Sequence, residues 1–329
     1  GATSPYTTNK DGHGVAWANS LFEDNAEHGL GMMLGQRAIR DRLIAKVESV
    51  MENTPDETRK ALCKAFLDTK DDGKANAEPA RALIANLEAH ICCDDVKDIV
   101  DNKEYLAKKS IWIFGGDGWA YDIGFGGLDH VLASGEDVNV FVFDTEVYSN
   151  TGGQASKASN IGQVAQFAAA GKTMAKKSLS EIAMSYGYVY VAQVAMGSNM
   201  KQTLDAICEA EAYHGPSLII GYAPCEMHSI KGGMTNCQKE MKRAVDCGYW
   251  NLFRFNPAKK AEGKNPFTLD SKAPAGGYQE FLMNEARYSS LTRSFPERAK
   301  ELFAKNEETA KARYEHLLKL KALYEVNEG

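Results

Sequence analysis

The sequence predicts an α/β protein built on a doubly wound, mostly parallel sheet, with a helical insertion and a C-terminal helical arm. Three observations carry this prediction. Apolar runs of strand length alternate with helical patterns between about 111 and 222, a helical stretch without strands precedes them, and the strand pattern ends after about 255. We therefore expect one domain at 1–255, with the insertion at about 30–106, and an extended linker and helical arm at 256–329.

The insertion is predicted from apolar residues that recur at helical spacing. One helix begins at about Leu30, and a second starts at Thr54-Pro55-Asp56-Glu57. A third begins at about Glu78, after the polar break at 71–74.

The sheet is predicted from four apolar runs that have the length of buried strands. Parallel sheets of this kind bind ligands at the carboxyl ends of their strands, so the loops at 115–119, 144–153, 195–199 and 223–235 are the candidate site loops. The expected strands are 111–114, 138–143, 188–194 and 217–222, and the expected helices lie near 121–133, 161–170, 178–186 and 199–213.

The C-terminal region has a different character. Residues 256–277 are rich in Pro, Lys and Gly and are predicted to form an extended connection. Ser294-Phe295-Pro296-Glu297 is predicted to be a capping box that opens a long helix to about Tyr324.

Composition excludes several classes of protein. The net charge of −6 argues against a large nucleic-acid interface, which needs a basic face. No apolar run approaches the length of a membrane span, so we expect no membrane association.

The seven cysteines include no Cys-x-x-Cys pair and suit a reducing compartment, either the cytoplasm or a reducing, anaerobic organelle. The N-terminus begins with Gly1 and lacks a signal pattern, so we expect a piece of a longer polypeptide.

Gly116-Asp117-Gly118 follows the first predicted strand and precedes a helix. Flanking glycines allow the backbone to approach a diphosphate, and the helix N-terminus favours an anion. Asp117 and a diphosphate would repel each other, so a Mg²⁺ ion is expected between them. Thr145 lies 28 residues later, at the end of the next strand. Its hydroxyl and the carbonyl of Val147 are therefore the expected further ligands.

These features resemble the thiamin diphosphate (TPP) signature, although many TPP enzymes carry Asn where this chain has Thr145. The chain is similar to the C-terminal TPP domain of pyruvate:ferredoxin (flavodoxin) oxidoreductases over most of 1–255. The stretches that carry this resemblance are 5–10, 17–26, 116–124 and 144–156. The resemblance implies the TPP-binding fold.

The resemblance also implies roles for individual residues. Asp117, Thr145 and Val147 would bind Mg²⁺, and Asn150 would be catalytic, facing the thiazolium and the substrate carbonyl. Cys225 would ligate a [4Fe–4S] cluster whose other ligands lie outside this chain. The residues implied to contact a cofactor are Gly116, Asp117, Gly118, Trp119, Thr145, Glu146, Val147, Tyr148, Ser149, Asn150 and Cys225.

The activity implied is the oxidative decarboxylation of pyruvate to acetyl-CoA and CO₂, with electrons passed through iron–sulfur clusters to ferredoxin or flavodoxin. The implied partners are the remaining domains of the same enzyme, the electron acceptor, pyruvate and coenzyme A, in a homodimer. This piece alone would be inactive.

Two alternatives remain open from the residues themselves. One is a non-redox TPP enzyme, either a 2-oxoacid decarboxylase or a transketolase-like half, and the other is a nucleotide-binding or scaffolding module. An isolated cysteine such as Cys225 is more often a small buried side chain than a ligand, and Cys237 and Cys247 are interpreted in that way. Gly124–Gly127 falls inside a predicted helix, which disfavours a nicotinamide site.

Overall fold

A computed structural model describes residue 12 and residues 23–325. The chain divides into two compact units. One contains residues 29–111, and the other contains the described residues before 29 together with those from 112 onward.

The first unit is helical, as predicted. Asp56 and Asp72 are N-caps that each accept two backbone hydrogen bonds from the first turn of the following helix. They explain why new helices begin after 54–56 and 71–72. Leu43, Phe66 and Leu83 are among the side chains of its buried core. The helices are α1 (Asn25–Asn53), α2 (Glu57–Thr69), α3 (Gly73–Ala89) and α4 (Asp94–Asp101), followed by a 3₁₀ turn at Lys103–Tyr105.

The second unit is built on a six-stranded sheet in the order β1-β2-β6-β5-β7-β8. The first four strands in this order are parallel to one another, and β7 and β8 add antiparallel pairs at one side. This mostly parallel sheet agrees with the predicted fold class. The strands are β1 (Trp112–Gly116), β2 (Asn139–Asp144), β5 (Tyr190–Val194), β6 (Ser217–Tyr222), β7 (Phe253–Phe255) and β8 (Phe267–Leu269), and β3 (Val147–Tyr148) and β4 (Gln154–Ala155) form a separate hairpin.

In this unit a helix follows each of β1, β2, β5 and β6 before the next strand of the sheet, and three helices in succession follow β8. A π-helical turn at Gly118–Ile123 directly follows β1 and precedes α5. The helices are α5 (Phe125–Ala133), α6 (Leu179–Met184), α7 (Met200–Ala212), α8 (Cys237–Asp246), α9 (Tyr278–Met283), α10 (Ala286–Ser294) and α11 (Pro296–Leu323), and 3₁₀ turns lie at Glu226–His228, Met234–Asn236 and Pro257–Glu262.

The register of the sheet fixes the geometry of the candidate site. Gly116 of β1 lies opposite Phe143 of β2, so the residues that follow them emerge side by side. Asp144 at the end of β2 lies opposite Tyr222 at the end of β6. The loops after β1, β2 and β6 therefore meet at one edge of the sheet.

Three expectations about secondary structure are wrong. The helix expected at 161–170 is a series of turns, because Gly162 and Phe167 adopt φ values of 78° and 66° that a right-handed helix does not contain. Strands β7 and β8 were not predicted, because three residues are too few to show an alternating pattern. The capping box at 294–297 does not form, since Ser294 ends α10 and Phe295 occupies the N-cap of α11 without a side-chain hydrogen bond.

In the part of the chain that the structure describes, no helix combines the length and apolarity that a bilayer crossing requires.

Candidate functional site

The three predicted Mg²⁺ ligands lie together at the carboxyl edge of the sheet. The Thr145 hydroxyl oxygen lies 2.7 Å from Asp117 Oδ1 and 2.9 Å from the carbonyl oxygen of Val147. Asp117 directly follows β1, and Thr145 directly follows β2, so the parallel register brings them together. Thr145 and Val147 belong to one tight turn, in which the Thr145 hydroxyl contacts both the Asp117 carboxylate and the Val147 carbonyl.

This set of oxygens suits Mg²⁺. Neighbouring ligands of an octahedral ion with bonds of 2.0–2.1 Å are separated by about 2.9 Å, which is close to both oxygen–oxygen distances here. One carboxylate with neutral oxygens is also the kind of ligand set that Mg²⁺ accepts beside a diphosphate. Burial and the neighbouring Asp144 carboxylate raise the pKa of Asp117 to about 7, although Ser156 and Thr145 donate hydrogen bonds to it. A cation beside Asp117 would favour its charged form.

The glycines of the Gly116-Asp117-Gly118 motif serve different purposes. Among the described residues, a Cβ on Gly116 would meet only the Phe143 carbonyl oxygen, at 4.0 Å, so this part of the chain leaves the space beside the Gly116 backbone open. A Cβ on Gly118 would lie 2.5 Å from the ring of Tyr148, so Gly118 allows that ring to pack against the backbone. Only Gly116 fits the expected approach of a diphosphate to the main chain.

Trp119 is fully buried and packs against two further glycines. A Cβ on Gly115 would lie 2.2 Å from its ring, and one on Gly124 would lie 2.1 Å from it. The Gly124 N–H donates to the Trp119 carbonyl, as the i to i+5 pattern of the π-helical turn requires. The Trp119 side chain is thus a packing element, and a contact with a cofactor would involve its backbone.

The residues that follow Thr145 face different environments. Glu146 is completely buried, and its carboxylate contacts the buried Lys176 and Arg287. Ser149 donates a hydrogen bond of 3.1 Å to the Thr145 hydroxyl, and Asn150 is exposed at the tip of the β3–β4 hairpin. Tyr148 is half-buried over Gly118. The loop therefore offers hydroxyl groups inside and an amide at its rim.

Cys225 lies three residues beyond β6, at the same sheet edge. Its Sγ is 3.2 Å from the Ser149 hydroxyl and 3.5 Å from His228 Nδ1, and its backbone N–H donates to the same His228 nitrogen. Its side chain is partly exposed, whereas Cys247 is buried in the core as expected of a packing residue. Within residue 12 and residues 23–325, no group of three or more His, Cys, Asp or Glu side chains could hold a metal ion. A cluster bound through Cys225 would need its other sulfur ligands from elsewhere.

Two side chains next to the site were not identified from the sequence. The Ser156 hydroxyl donates a 2.6 Å hydrogen bond to Asp117 Oδ2, on the side away from Thr145. The Lys176 ammonium donates to Asp144 Oδ1 at 2.9 Å and to Glu146 Oε1 at 3.1 Å. Ser156 is the last residue of the motif stretch 144–156, so the sequence contained a signal that could have identified it. Lys176 lies in a lysine-rich loop with no pattern that marks it as buried.

The buried charges continue away from the sheet edge. Arg287 forms ion pairs with Glu146 at 2.9 Å and with Glu285 at 2.6 Å. The Tyr249 hydroxyl donates to Glu146 Oε2 at 2.5 Å. Although burial opposes ionisation, Lys176 and Arg287 hold the pKa of Glu146 below its usual value. Glu146 is therefore a charged anchor inside the protein.

A family model agrees with this region of the chain. Residues 103–220 match the model of the thiamine pyrophosphate enzyme C-terminal TPP-binding domain. The matched range includes Asp117, Thr145 and Lys176, whereas Cys225 lies just outside it.

Several curated proteins are similar to nearly the whole chain. Pyruvate:ferredoxin oxidoreductase of Moorella thermoacetica is 55% identical over 96% of the chain, and pyruvate-flavodoxin oxidoreductase of Klebsiella pneumoniae is 53% identical over 94% of it. The mitochondrial pyruvate dehydrogenase [NADP(+)] of Euglena gracilis is 47% identical over 94%. The chain spans 27% of the length of each of the first two relatives and 17% of the third.

Proposed function

Because this chain has the sequence of a TPP-binding segment of the pyruvate:ferredoxin (flavodoxin) oxidoreductases, we propose that it binds the TPP diphosphate and Mg²⁺ within an enzyme that oxidatively decarboxylates pyruvate. The single observation that supports this most strongly is the meeting of Asp117, Thr145 and Val147 oxygens within the matched TPP-binding domain. The products would be acetyl-CoA and CO₂, with electrons passed to ferredoxin or flavodoxin.

The metal site follows from the chain's own oxygens. Asp117 Oδ1, the Thr145 hydroxyl and the Val147 carbonyl would bind Mg²⁺, while Ser156 fixes the second oxygen of the Asp117 carboxylate. The open backbone at Gly116 leaves room for the diphosphate. When bound, TPP supplies the electron-accepting ring that allows CO₂ to leave a 2-oxoacid.

The rim of the site would contact the reacting groups. The Asn150 amide, which is exposed, would donate a hydrogen bond to the substrate oxygen as negative charge develops there. Cys225 would ligate the [4Fe–4S] cluster nearest to the cofactor, which gives the electrons a short path away from the substrate. Its partial exposure and its position at the same sheet edge support this role.

The remaining partners lie beyond this chain. Pyruvate and coenzyme A would bind with the help of the other domains of a homodimeric enzyme in the cytoplasm or a reducing organelle. The relatives have names that specify ferredoxin, flavodoxin or NADP⁺, so this segment is compatible with more than one electron acceptor.

The test is an assay of the full-length enzyme under anoxic conditions. We expect pyruvate- and coenzyme A-dependent reduction of ferredoxin or flavodoxin, with TPP and Mg²⁺ retained after gel filtration. Asp117→Asn should lose both TPP and activity, because an amide is a neutral and weaker Mg²⁺ ligand. Asp122→Asn, which removes a largely buried carboxylate paired with the exposed Lys157 ammonium at 2.8 Å, is the matched control.

The cluster is tested separately by iron content. Cys225→Ala should lower the iron content by four per chain and remove one reduced-cluster EPR signal, leaving the other clusters intact. Unchanged iron and EPR signals would rule out this ligand. Retention of stoichiometric TPP by Asp117→Asn at micromolar Mg²⁺ would rule out the proposed metal site.

A further inference from the structure

The residues on both sides of Thr145 contact a single buried cation. Asp144 precedes Thr145 and Glu146 follows it, and both carboxylates are fully buried. Lys176 Nζ lies 2.8 Å from Asp144 Oδ2 and 3.1 Å from Glu146 Oε1, and it also donates to the carbonyl of Ala158 at 2.9 Å. All three hydrogen-bonding positions of the ammonium are thereby directed to the protein interior.

The backbone of this turn adopts a conformation that needs support. Glu146 has a φ of 61°, in the left-handed region that a side chain other than glycine seldom adopts. The carbonyl of Glu146 accepts hydrogen bonds from Ser159 Oγ at 2.5 Å and from Gln163 Nε2 at 3.0 Å. Its carboxylate is held by Lys176 and Arg287. This conformation reverses the chain so that Val147 O returns to the Thr145 hydroxyl.

We infer that Lys176 is a positioning residue for the Mg²⁺ site, because it fixes the 144–147 turn through the two carboxylates that flank Thr145. This inference rests on the proposed function. Lys176 contacts neither Asp117 nor the oxygens of Thr145 and Val147 in the hydrogen bonds and ion pairs described for it. Its charge lowers the pKa of Asp117, and it acts on the ligands themselves through the backbone between Asp144 and Val147, which keeps the Thr145 hydroxyl in contact with both Asp117 and the Val147 carbonyl.

Lys176 differs in this respect from its neighbour Lys177. The Lys177 ammonium donates to the Tyr121 carbonyl at 3.1 Å and lies over the ring of Phe125. It forms no ion pair with Asp144 or Glu146 among the described contacts. Lys177→Met therefore removes the same charge from the adjacent position without touching the turn, and it is the matched control.

The experiment measures the Mg²⁺ concentration at which half of the full-length enzyme retains TPP, by equilibrium dialysis against a fixed TPP concentration. Lys176→Met should raise this concentration about 10-fold to 100-fold, the usual effect of losing a residue that orients a metal ligand. Lys177→Met should leave it within about twofold of the wild type. At saturating Mg²⁺, the turnover per bound TPP of Lys176→Met should return to that of the wild type, because the turn contributes only the metal ligands.

A second variant covers the case in which Lys176→Met does not fold. The double variant Lys176→Met/Asp144→Asn removes the ammonium together with one of its two carboxylates, so it buries less unpaired charge. It should show the same rise in the Mg²⁺ requirement. The thermal unfolding temperature, measured without TPP and Mg²⁺, identifies any general loss of stability and shows whether the Mg²⁺ requirement changes independently of it.

The outcomes separate this inference from the proposed function. A wild-type Mg²⁺ requirement in either folded variant, with Asp117→Asn still losing TPP, would overturn the role of Lys176 alone. If Asp117→Asn also keeps a wild-type Mg²⁺ requirement, the proposed metal site itself is wrong. An equal rise in Lys177→Met would likewise overturn the inference, since it would trace the effect to the lost charge and not to the turn.

Discussion

The hydroxyl oxygen of Ser149 lies 3.2 Å from the Sγ of Cys225. The same hydroxyl is 3.1 Å from that of Thr145, so one serine contacts both a proposed metal ligand and a proposed cluster ligand. These contacts connect the end of β2 to the loop after β6 through side chains alone. We expect the two halves of the site to influence each other through Ser149.

Ser149→Ala in the full-length enzyme should lower the reduction potential of the cluster bound by Cys225. The single Ser149 proton is directed to the Thr145 hydroxyl here, and with Mg²⁺ bound to that oxygen and a cluster bound to the Cys225 thiolate it would be donated to the sulfur instead. Such a donor stabilises the reduced, more negative cluster, so its loss should shift the potential on the order of −50 mV. An EPR-monitored redox titration measures this shift. Ser149→Thr keeps the hydroxyl and serves as the control, and an unchanged potential in Ser149→Ala would show that the hydroxyl does not donate to the ligand sulfur.

Asn150→Ala should slow turnover while TPP stays bound. One donor to a developing oxyanion typically contributes about 10²–10³ in rate, and Asn150 touches none of the proposed Mg²⁺ ligands in the described contacts. Pre-steady-state decay of pyruvate per bound TPP measures the effect. A variant that loses TPP but keeps its rate per bound cofactor would assign Asn150 a structural role instead.

The two glycines beside Asp117 should respond differently to alanine. Gly118→Ala places a Cβ 2.5 Å from the Tyr148 ring and should destabilise the fold by about 1–3 kcal/mol, lowering its unfolding temperature. The Cβ of Gly116→Ala meets no atom of residues 23–325 closer than 4.0 Å, so its unfolding temperature should stay unchanged while TPP affinity falls. Thermal unfolding without ligands, followed by TPP binding, measures both. Equal TPP affinity in Gly116→Ala and the wild type would place the diphosphate elsewhere.

The buried thiols of Cys63 and Cys247 should resist alkylation in the folded enzyme at pH 8. Burial raises the pKa of Cys63 to about 11 and that of Cys247 to about 12, which reduces their reactive thiolate forms. The alkylation rates of these two thiols in the folded enzyme should be roughly 100-fold or more below their rates in urea. Mass-spectrometric peptide mapping after timed iodoacetamide treatment measures this. Rapid labelling of Cys247 before unfolding would contradict its place in the core.

The sequence predicts the elements with the longest patterns. The four parallel strands are predictable because each is an apolar run of about strand length, such as 217–222. Most helices are predictable because their apolar residues recur at helical spacing over many residues, as they do in α11. The short strands β7 and β8 have no such length, and they depend on pairing with β5 and with each other. The turns at 161–170 depend on positive φ values that helix propensity does not reveal.

The candidate site shows the same division between local and distant information. Asp117 and Thr145 could be proposed together because each lies within about three residues of the end of a predicted strand, and Val147 because it follows Thr145 by two residues. Lys176 could not, since its burial depends on carboxylates 30 and 32 residues away in the chain. The motif stretch 5–10 and the part of the stretch 17–26 up to residue 22 lie outside the described residues, so their contribution to the site stays a prediction.

The buried charges around Glu146 also constrain how this protein can diverge. Lys176, Glu146, Arg287 and Glu285 form a continuous chain of ion pairs with almost no exposure to solvent. A single neutral substitution in it leaves an uncompensated charge in the interior, whereas a paired substitution can remove both charges at once. Their effects on stability should therefore be strongly non-additive. Homologous enzymes that alter one of these positions are expected to carry a compensating change at another, although Lys176 and Arg287 stand more than a hundred residues apart in the chain.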